Sequence, residues 1–226
     1  MNEQRKLILQ GLLRILFLPL VVWLILLLPA GTVDFWQVYA YFGSLLGLMA
    51  LVFPYFLKHH PEALRQRMEP IKEPEKAQQI IMALMGLSVL ALYLTAGFDR
   101  RYAWSEVPVA ISLLALALVL LSYLGIAYVM KVNNYASRTV KVEPEQELVD
   151  SGPYGVVRHP MYSCALIMFL ATPVALGSWW ALLPVVIAMI SFLPRILNEE
   201  AVLLRDLAGY KNYSQRVRWR LLPGLW

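Results

Sequence analysis

The sequence predicts an all-α fold, a polytopic transmembrane helical bundle of five to six spans. Of the 226 residues, 59% are hydrophobic and only 15% are charged. The charged residues are concentrated between long uncharged runs, and each run is close to the roughly 20 apolar residues that an α-helix needs to cross a hydrocarbon core. The single cysteine, Cys164, excludes an intrachain disulfide.

Four of the apolar runs lie in residues 1–130, which we predict to form an N-terminal unit of four transmembrane helices. The runs cover about residues 7–29, 35–57, 77–98 and 107–130. No cleavable signal is recognisable before the first run, so we expect this run to be retained as a span. The second run contains Gly43 and Gly47, a small-xxx-small pattern that lets another helix approach closely. We expect that helix to belong to the same chain, which favours a monomer.

A polar connector at residues 58–76 separates the second and third runs. It is rich in Lys and Arg, and three prolines divide it into short pieces. Its adjacent histidines, His59 and His60, do not converge on one ion from a helix face, and no Cys or acidic partner lies at ligand spacing. We therefore predict no metal site.

The second unit, residues 131–226, begins with a mixed-charge segment that is too polar to enter lipid. Two apolar runs follow this segment, at residues 161–178 and 179–194. Only a Gly-Ser pair separates the two runs, and tryptophans follow this pair at the expected membrane interface. The runs are therefore predicted to form a tight helical hairpin, whose first arm is short for a perpendicular crossing.

The distribution of basic residues predicts the orientation. With an even number of crossings, both termini, the connector and the mixed-charge segment share one side, whereas the other side carries only Arg100 and Arg101. The positive-inside rule therefore places both termini and the polar motifs in the cytosol, and we expect a bacterial inner (cytoplasmic) membrane. The net charge is +5, and the basic residues lie beside the predicted spans. We therefore expect membrane lipids and no nucleic acid as partners.

Two polar motifs, residues 151–162 and 195–213, flank the hairpin and are predicted to meet at one membrane surface. Together the two motifs contain side chains suited to a zwitterionic ligand with an aromatic group. Their cationic side chains can bind its anionic group, their carboxylates can bind its cationic group, and their phenol rings offer a flat surface with a hydroxyl. These residues are Arg158, His159, Glu199, Glu200, Tyr154, Tyr162, Tyr210 and Tyr213.

The first motif contains a turn signal at Gly152 and a helix start at Pro160. Free backbone N–H groups at this start, with Arg158 and His159 just before it, are expected to form an anion site. Three roles stay open for His159: it could bind a ligand, act as a general base, or make only structural hydrogen bonds.

The second motif predicts a helix that leaves the lipid after the hairpin. Arg195 and Glu199 are four residues apart and lie on one face of this helix, whereas Glu200 is rotated by about 100°. A charge at the end of an apolar span is costly unless it is neutralised, which favours a functional role over a surface ion pair. Gly209 is predicted to cap the helix before a basic, aromatic tail.

Three elements of the C-terminal third occur together at a specific separation. They are LVDSGPYGVVRHPMY at residues 148–162, NEEAVLL at residues 198–204, and a tail with Gly209-Tyr210, Tyr213, Val217 and Leu222-Pro223. In this combination the chain resembles the isoprenylcysteine carboxyl methyltransferase family and its relatives, the phospholipid N-methyltransferases. One departure is Cys164, at a position where many relatives carry Gly.

The resemblance implies a methyltransferase that binds S-adenosylmethionine in a cytosolic pocket, with residues 131–226 as the catalytic region and a cytosolic C-terminal helix. The residues carried over for cofactor binding are Val149, Gly152, Tyr154, Arg158, His159, Pro160, Tyr162, Glu200 and Tyr213. Among them, Glu200 is expected to meet the charged moiety of the cofactor.

Arg195 and Glu199 are the candidate catalytic residues. Arg195 would orient a carboxylate acceptor, for which no base is needed, and Glu199 would take the proton from an amine acceptor. We expect a lipid-like or prenylated amphiphile that enters from the bilayer, and we favour a carboxylate. Two other hypotheses are an NADPH-dependent membrane sterol-type reductase and a membrane scaffold without catalytic activity.

Overall fold

The computed structural model describes residues 3–68, 76–135, 142 and 146–226. All regular structure in these residues is helical, and they contain no strand, which confirms the all-α prediction. The helices are α1 (Glu3–Ala30), α2 (Trp36–His59), α3 (Pro61–Met68), α4 (Lys76–Tyr102), α5 (Val109–Val132), α6 (Pro160–Ala175), α7 (Leu182–Asp206) and α8 (Tyr210–Arg216), and a short 3-10 helix covers Gly152–Gly155.

Four of these helices, α2, α4, α5 and α7, are long and apolar enough to cross a membrane. Helix α7 continues without a break through Pro194, so the second arm of the hairpin extends into the polar region as predicted. The first arm, α6, has 16 residues. At 1.5 Å per residue this is about 24 Å, less than the roughly 30 Å of a hydrocarbon core. The chain is a polytopic helical bundle of the integral membrane type.

Close helix contacts occur where small residues allow them. Helix α5 packs along α6, and a Cβ added at Gly125 in α5 would lie 2.7 Å from the sulfur of Cys164 in α6. The glycine in α5 therefore makes room for the thiol of Cys164. At Gly43 and Gly47 of α2, by contrast, a Cβ would meet no described atom within 4 Å. The predicted intrachain contact at these two glycines is not found among the described residues.

The polar connector contains a structured element, the short helix α3. Ala63, Leu64 and Met68 are buried there, against Phe56 of α2 and Met130 of α5. Residues 69–75 of the connector lie outside the described residues. Because its apolar face is buried in the bundle, α3 is fixed beside the ends of α2 and α5.

The end of the bundle at the hairpin turn encloses a buried carboxylate, that of Asp99 in α4. It accepts hydrogen bonds from the backbone N–H and the hydroxyl of Ser105, at 2.7 and 2.6 Å, and from the hydroxyl of Ser178. The preceding residue, Gly177, has a φ of +78°, a conformation that glycine adopts without steric cost. These bonds fasten the hairpin turn to α4.

The polar helix ends earlier than predicted. Helix α7 stops at Asp206 with Leu207 as its C-cap, and Gly209, with a φ of +82°, is the N-cap of α8. The prediction that Gly209 caps the preceding helix is therefore corrected. This glycine turns the chain so that α8 folds back over the polar motifs.

Candidate active site

A cavity of about 460 Å³ lies where the two polar motifs meet, as predicted. Its polar walls include Arg67, Glu147, Arg158, His159, Glu199 and Tyr210. Its apolar walls include Met82, Met85, Ile126, Met168, Phe169 and Phe192. The apolar residues belong to α4, α5, α6 and α7, so the cavity extends from the polar surface into the membrane-spanning part of the bundle.

Most of the predicted site residues line this cavity. They are Val149, Tyr154, Arg158, His159, Pro160, Tyr162, Arg195, Glu199 and Tyr213. Gly152 and Glu200 do not line it. Gly152 has a φ of +57° at the start of the 3-10 helix, so its contribution is to turn the chain.

The backbone before α6 is bound to the C-terminal tail. The N–H of Arg158 donates to the carbonyl of Trp219, and the N–H of His159 donates to the carbonyl of Arg220, both at 2.9 Å. Pro160 is the first residue of α6, as predicted. The N–H groups of Arg158 and His159 are therefore occupied by the protein itself, and the anion site expected at the N–H groups of the first turn of α6 stays a prediction.

The Glu200 carboxylate is buried among three cationic or polar groups. It accepts hydrogen bonds from Nε of Arg158 at 2.7 Å and from Nε of Arg220 at 2.8 Å. Nε2 of His159 lies 3.3 Å from the same carboxylate. Only 8% of the Glu200 side chain is exposed. Glu200 binds cations of its own chain, and its expected contact with the charged moiety of the cofactor stays a prediction.

Arg158 also binds the C-terminal tail directly. Its Nη1 donates to the carbonyls of Ser214, Val217 and Arg218, at 3.0 to 3.2 Å. Together with the Glu200 contact, these bonds fix the guanidinium at the wall of the cavity. The tail is therefore a structural part of the candidate site.

A second network joins the two catalytic candidates. The hydroxyl of Tyr162 donates to Oε2 of Glu199 at 2.8 Å and accepts from Nε of Arg195 at 3.1 Å. Nη1 of Arg195 donates to the buried amide oxygen of Gln78 in α4 at 3.0 Å. Arg195 and Glu199 thus share one face of α7, as predicted, and both bind the hydroxyl of Tyr162.

His159 lies between the Glu200 cluster and the hydrogen bonds around Tyr162. Its Nδ1 is 3.8 Å from Oε1 of Glu199, and its Nε2 faces Glu200. With only 3% of its side chain exposed, the ring is fixed between two carboxylates. This arrangement provides the structural hydrogen bonding foreseen for His159 while leaving the ring at the cavity wall.

The tyrosines of the polar walls differ in their hydrogen bonding. The hydroxyl of Tyr154 accepts from Nδ2 of Asn133 at 2.9 Å, and that of Tyr213 donates to the carbonyl of Tyr154 at 2.8 Å. The buried hydroxyl of Tyr210 has no partner among the described residues. Burial raises the pKa of Tyr154 to about 12 and also raises the pKa values of Tyr210 and Tyr213. All three phenols therefore carry their protons at neutral pH.

Three residues of the site were not predicted from the sequence. Arg220 completes the Glu200 cluster, Gln78 holds Arg195, and Arg67 of α3 lines the cavity. The basic character of the tail was a signal for Arg220. Gln78 and Arg67 lie more than 60 positions before the two polar motifs, and no spacing in the sequence links them to the site.

The model of the phospholipid methyltransferase family matches residues 109–208 of the chain. The match begins at α5, includes the hairpin and ends just after α7. It therefore contains the side chains around Glu200 and around Tyr162, except for Arg220 and Gln78. A comparison with curated proteins found no match. The family match confirms the resemblance to membrane methyltransferases and, with the apolar helices, supports a membrane methyltransferase.

Proposed function

We propose that this protein transfers a methyl group from S-adenosylmethionine to the carboxylate of a lipid-like or prenylated amphiphile. The main support is a single cavity whose charged walls at the polar motifs continue into apolar walls within the spans. Such a cavity suits a polar donor from water and an acceptor with an apolar tail from the bilayer. The family match independently favours methyl transfer.

The chemistry of the cavity fits the proposed donor. S-adenosylmethionine carries a carboxylate, an ammonium, a sulfonium and an adenine. The walls offer the guanidinium of Arg158, the carboxylates of Glu147 and Glu199, and the rings of Tyr154 and Tyr213. The volume of about 460 Å³ lies within the usual range of small-molecule pockets.

When bound, the donor supplies an electrophilic methyl group on its sulfonium. The protein has to align the acceptor and exclude water. Arg195, held by Tyr162 and Gln78 at the edge of the apolar walls, is suited to orient an acceptor carboxylate through charge-assisted hydrogen bonds. No general base is needed for this acceptor, because a carboxylate carries no proton to remove.

An amine acceptor is the second candidate, because the matching family is described as phospholipid methyltransferase. An amine must lose a proton, and Glu199 lines the cavity with 28% of its side chain exposed. It would serve as the base in that reaction. Tyr162, which donates to this carboxylate, would fix its orientation.

We further propose that the reaction takes place at the cytosolic face of a bacterial inner membrane, and that the protein acts as a monomer. The excess of Lys and Arg on the side of the polar motifs supports this orientation. The acceptor would reach the cavity sideways between spans, and the donor would enter from the cytosol.

Calorimetry of the protein in detergent tests the donor. We expect S-adenosylmethionine to bind and NADPH not to bind. Binding of NADPH alone would favour the sterol-type reductase, and binding of neither ligand would favour a scaffold.

Radiolabel transfer into a native lipid extract tests the acceptor. A methyl ester releases labelled methanol in mild base, whereas an N-methyl group stays on the lipid. We expect base-labile label from a carboxylate acceptor. Base-stable label would instead support the amine reaction with Glu199 as base.

Two variants separate donor binding from turnover. His159→Ala removes the ring between the two carboxylates, so we expect weaker donor binding. Arg195→Ala should leave donor binding intact and abolish turnover. Equal donor affinity in the wild type and the His159 variant would contradict the assignment of the donor site.

A further inference from the structure

Gln78 is a buried amide that reaches the candidate site from the N-terminal unit. It lies in the first turn of α4 and is 2% exposed. Its Oε1 accepts a hydrogen bond from Nη1 of Arg195 in α7 at 3.0 Å. Burying an amide is costly unless it is hydrogen-bonded, so this contact satisfies the amide oxygen and one nitrogen of the guanidinium together.

Helix α4 places Gln78 behind Arg195 and not in the cavity wall. Gln78, Met82 and Met85 are four and three residues apart, so they share one face of the helix. Met82, Met85 and Arg195 line the cavity, whereas Gln78 does not. Gln78 can therefore act on a ligand only through the guanidinium that it holds.

The direction of the Arg195 guanidinium is fixed from two helices. Its Nε donates to the hydroxyl of Tyr162 in α6 at 3.1 Å, and its Nη1 donates to Gln78 in α4. A guanidinium is planar and its N–H groups diverge in fixed directions, so bonds to two different nitrogens set both its plane and its orientation. Loss of the Gln78 bond would allow the plane to turn.

The chemistry of position 78 differs from that of the partner of Arg158. Arg158 is bound by the carboxylate of Glu200, so its charge is neutralised by that partner. The amide of Gln78 is neutral, and it orients Arg195 without adding a negative charge beside it. A carboxylate at position 78 would repel an anionic group that approaches Arg195 from the cavity.

We propose that Gln78 is a positioning residue for the methyl acceptor. It directs the Arg195 guanidinium toward the acceptor carboxylate and, being neutral, does not compete with that carboxylate. Part of acceptor recognition then lies in α4, which precedes the residues that the family model matches. This inference rests on the proposed function.

Two substitutions separate the direction of the guanidinium from the charge beside it. Gln78→Met is similar in size but lacks the amide oxygen, so it removes the bond to Arg195. Gln78→Glu keeps an acceptor oxygen at the same reach and adds a negative charge. In detergent, radiolabel transfer from S-adenosylmethionine into a native lipid extract gives the maximal rate and the half-saturating extract concentration. Calorimetry with S-adenosylmethionine alone gives the donor affinity.

The two variants should differ in which quantity changes. Gln78→Met should lower the maximal rate about 10- to 100-fold, because misplacing an aligning group by about 1 Å can cost that much. Gln78→Glu should recover a higher maximal rate than Gln78→Met but raise the half-saturating concentration about 5-fold or more, because its charge opposes the acceptor carboxylate. Donor affinity should equal that of the wild type in both.

Ser88→Ala is the matched control on the same helix. Ser88 is also buried, and its hydroxyl donates to the carbonyl of Leu84 within α4 at 2.8 Å. This variant removes a buried hydrogen bond of α4 that does not reach the site. It should leave the maximal rate, the half-saturating concentration and the donor affinity unchanged.

The outcomes distinguish this inference from the proposed function. A wild-type maximal rate in Gln78→Met would overturn the inference and leave the proposed function standing. Loss of donor affinity in Gln78→Met would also overturn it, since Gln78 would then support the whole pocket. An unchanged half-saturating concentration in Gln78→Glu would contradict the role given to the neutral amide. Failure of the wild type to transfer label would overturn the proposed function and this inference with it.

Discussion

In the described residues, a buried carboxylate lies at each end of the bundle, and the two are neutralised in different ways. At the hairpin turn, Asp99 accepts hydrogen bonds from Ser105 and Ser178, which are uncharged. At the polar motifs, Glu200 is bound by Arg158 and Arg220 and faces His159. The Asp99 bonds close a turn, whereas the Glu200 cluster forms the back of a cavity.

Under the proposed function, this difference distinguishes a polar cluster that only joins two segments from one that lies beside a ligand cavity. Hydroxyl and amide donors suffice to pair a carboxylate that only joins two segments. A cluster of cations around Glu200 costs desolvation for every charge, and replacing such clusters by apolar residues is often neutral or stabilising. We infer that Glu200 is retained because it fixes Arg158 and His159 at the wall of the cavity.

The largest effect is expected when Glu200 is changed to Gln. Two buried or half-buried arginines would lose their counterion, and breaking a buried ion pair from one side costs about 3 kcal/mol or more. For a protein of this size, that loss lowers the melting temperature by about 6 to 12 °C. Thermal unfolding in detergent measures it, and donor affinity should fall as well.

Glu199→Gln is the matched control for this prediction. The neighbouring carboxylate has 28% of its side chain exposed and accepts from the neutral hydroxyl of Tyr162, so its loss should cost much less stability. Equal melting temperatures for the two variants would contradict the view that the Glu200 cluster holds the polar end together.

A smaller effect is expected from Asp99→Asn. The amide retains one acceptor oxygen but cannot accept all three hydrogen bonds from Ser105 and Ser178, a loss of about 1 to 3 kcal/mol. Because this end contacts no ligand in the proposed function, donor affinity should stay at the wild-type value. Calorimetry and thermal unfolding of the same sample separate the two quantities.

Asp34→Asn is the control at the same end, because 92% of the Asp34 side chain is exposed and it should change stability little. A loss of donor affinity in Asp99→Asn that exceeds its loss in Asp34→Asn would show that the two ends are coupled.

The smallest effect is expected from an alkaline titration of the polar end. The pKa of Tyr154 is raised to about 12 by burial, so the folded state favours the neutral phenol. This stabilisation is fully present below pH 10, the usual tyrosine pKa, and is lost as the pH rises through 12. The melting temperature should therefore fall over this interval, and less steeply in Tyr154→Phe. An identical decrease of the melting temperature with pH in the variant would contradict the raised pKa of Tyr154.

The helices and the meeting of the two motifs could be predicted from the sequence, because both depend on local patterns. Apolar runs of span length predict helices, and a short hairpin brings its two flanks to one surface. Pro160 as a helix start and the shared face of Arg195 and Glu199 follow from helix geometry alone.

The partners of individual charges could not be predicted, because they depend on long-range packing. Glu200 was expected to face a ligand, yet Arg220, twenty residues later, folds back onto it. Gln78 in α4 accepts a hydrogen bond from Arg195, which follows it by 117 positions in the sequence. Sequence spacing carries no information about such pairs, so the charged residues were recognised but their partners within the protein were not.

The C-terminal tail has a consequence for the order of assembly. Residues 217–221 supply the carbonyls that bind Arg158, His159 and Ser163, and Arg220 supplies a cation to Glu200. All of these segments leave the ribosome before the tail does, and their helices can enter the bilayer without it. We therefore expect membrane insertion to precede completion of the pocket, so that the pocket of a nascent chain stays incomplete until this tail has folded into place.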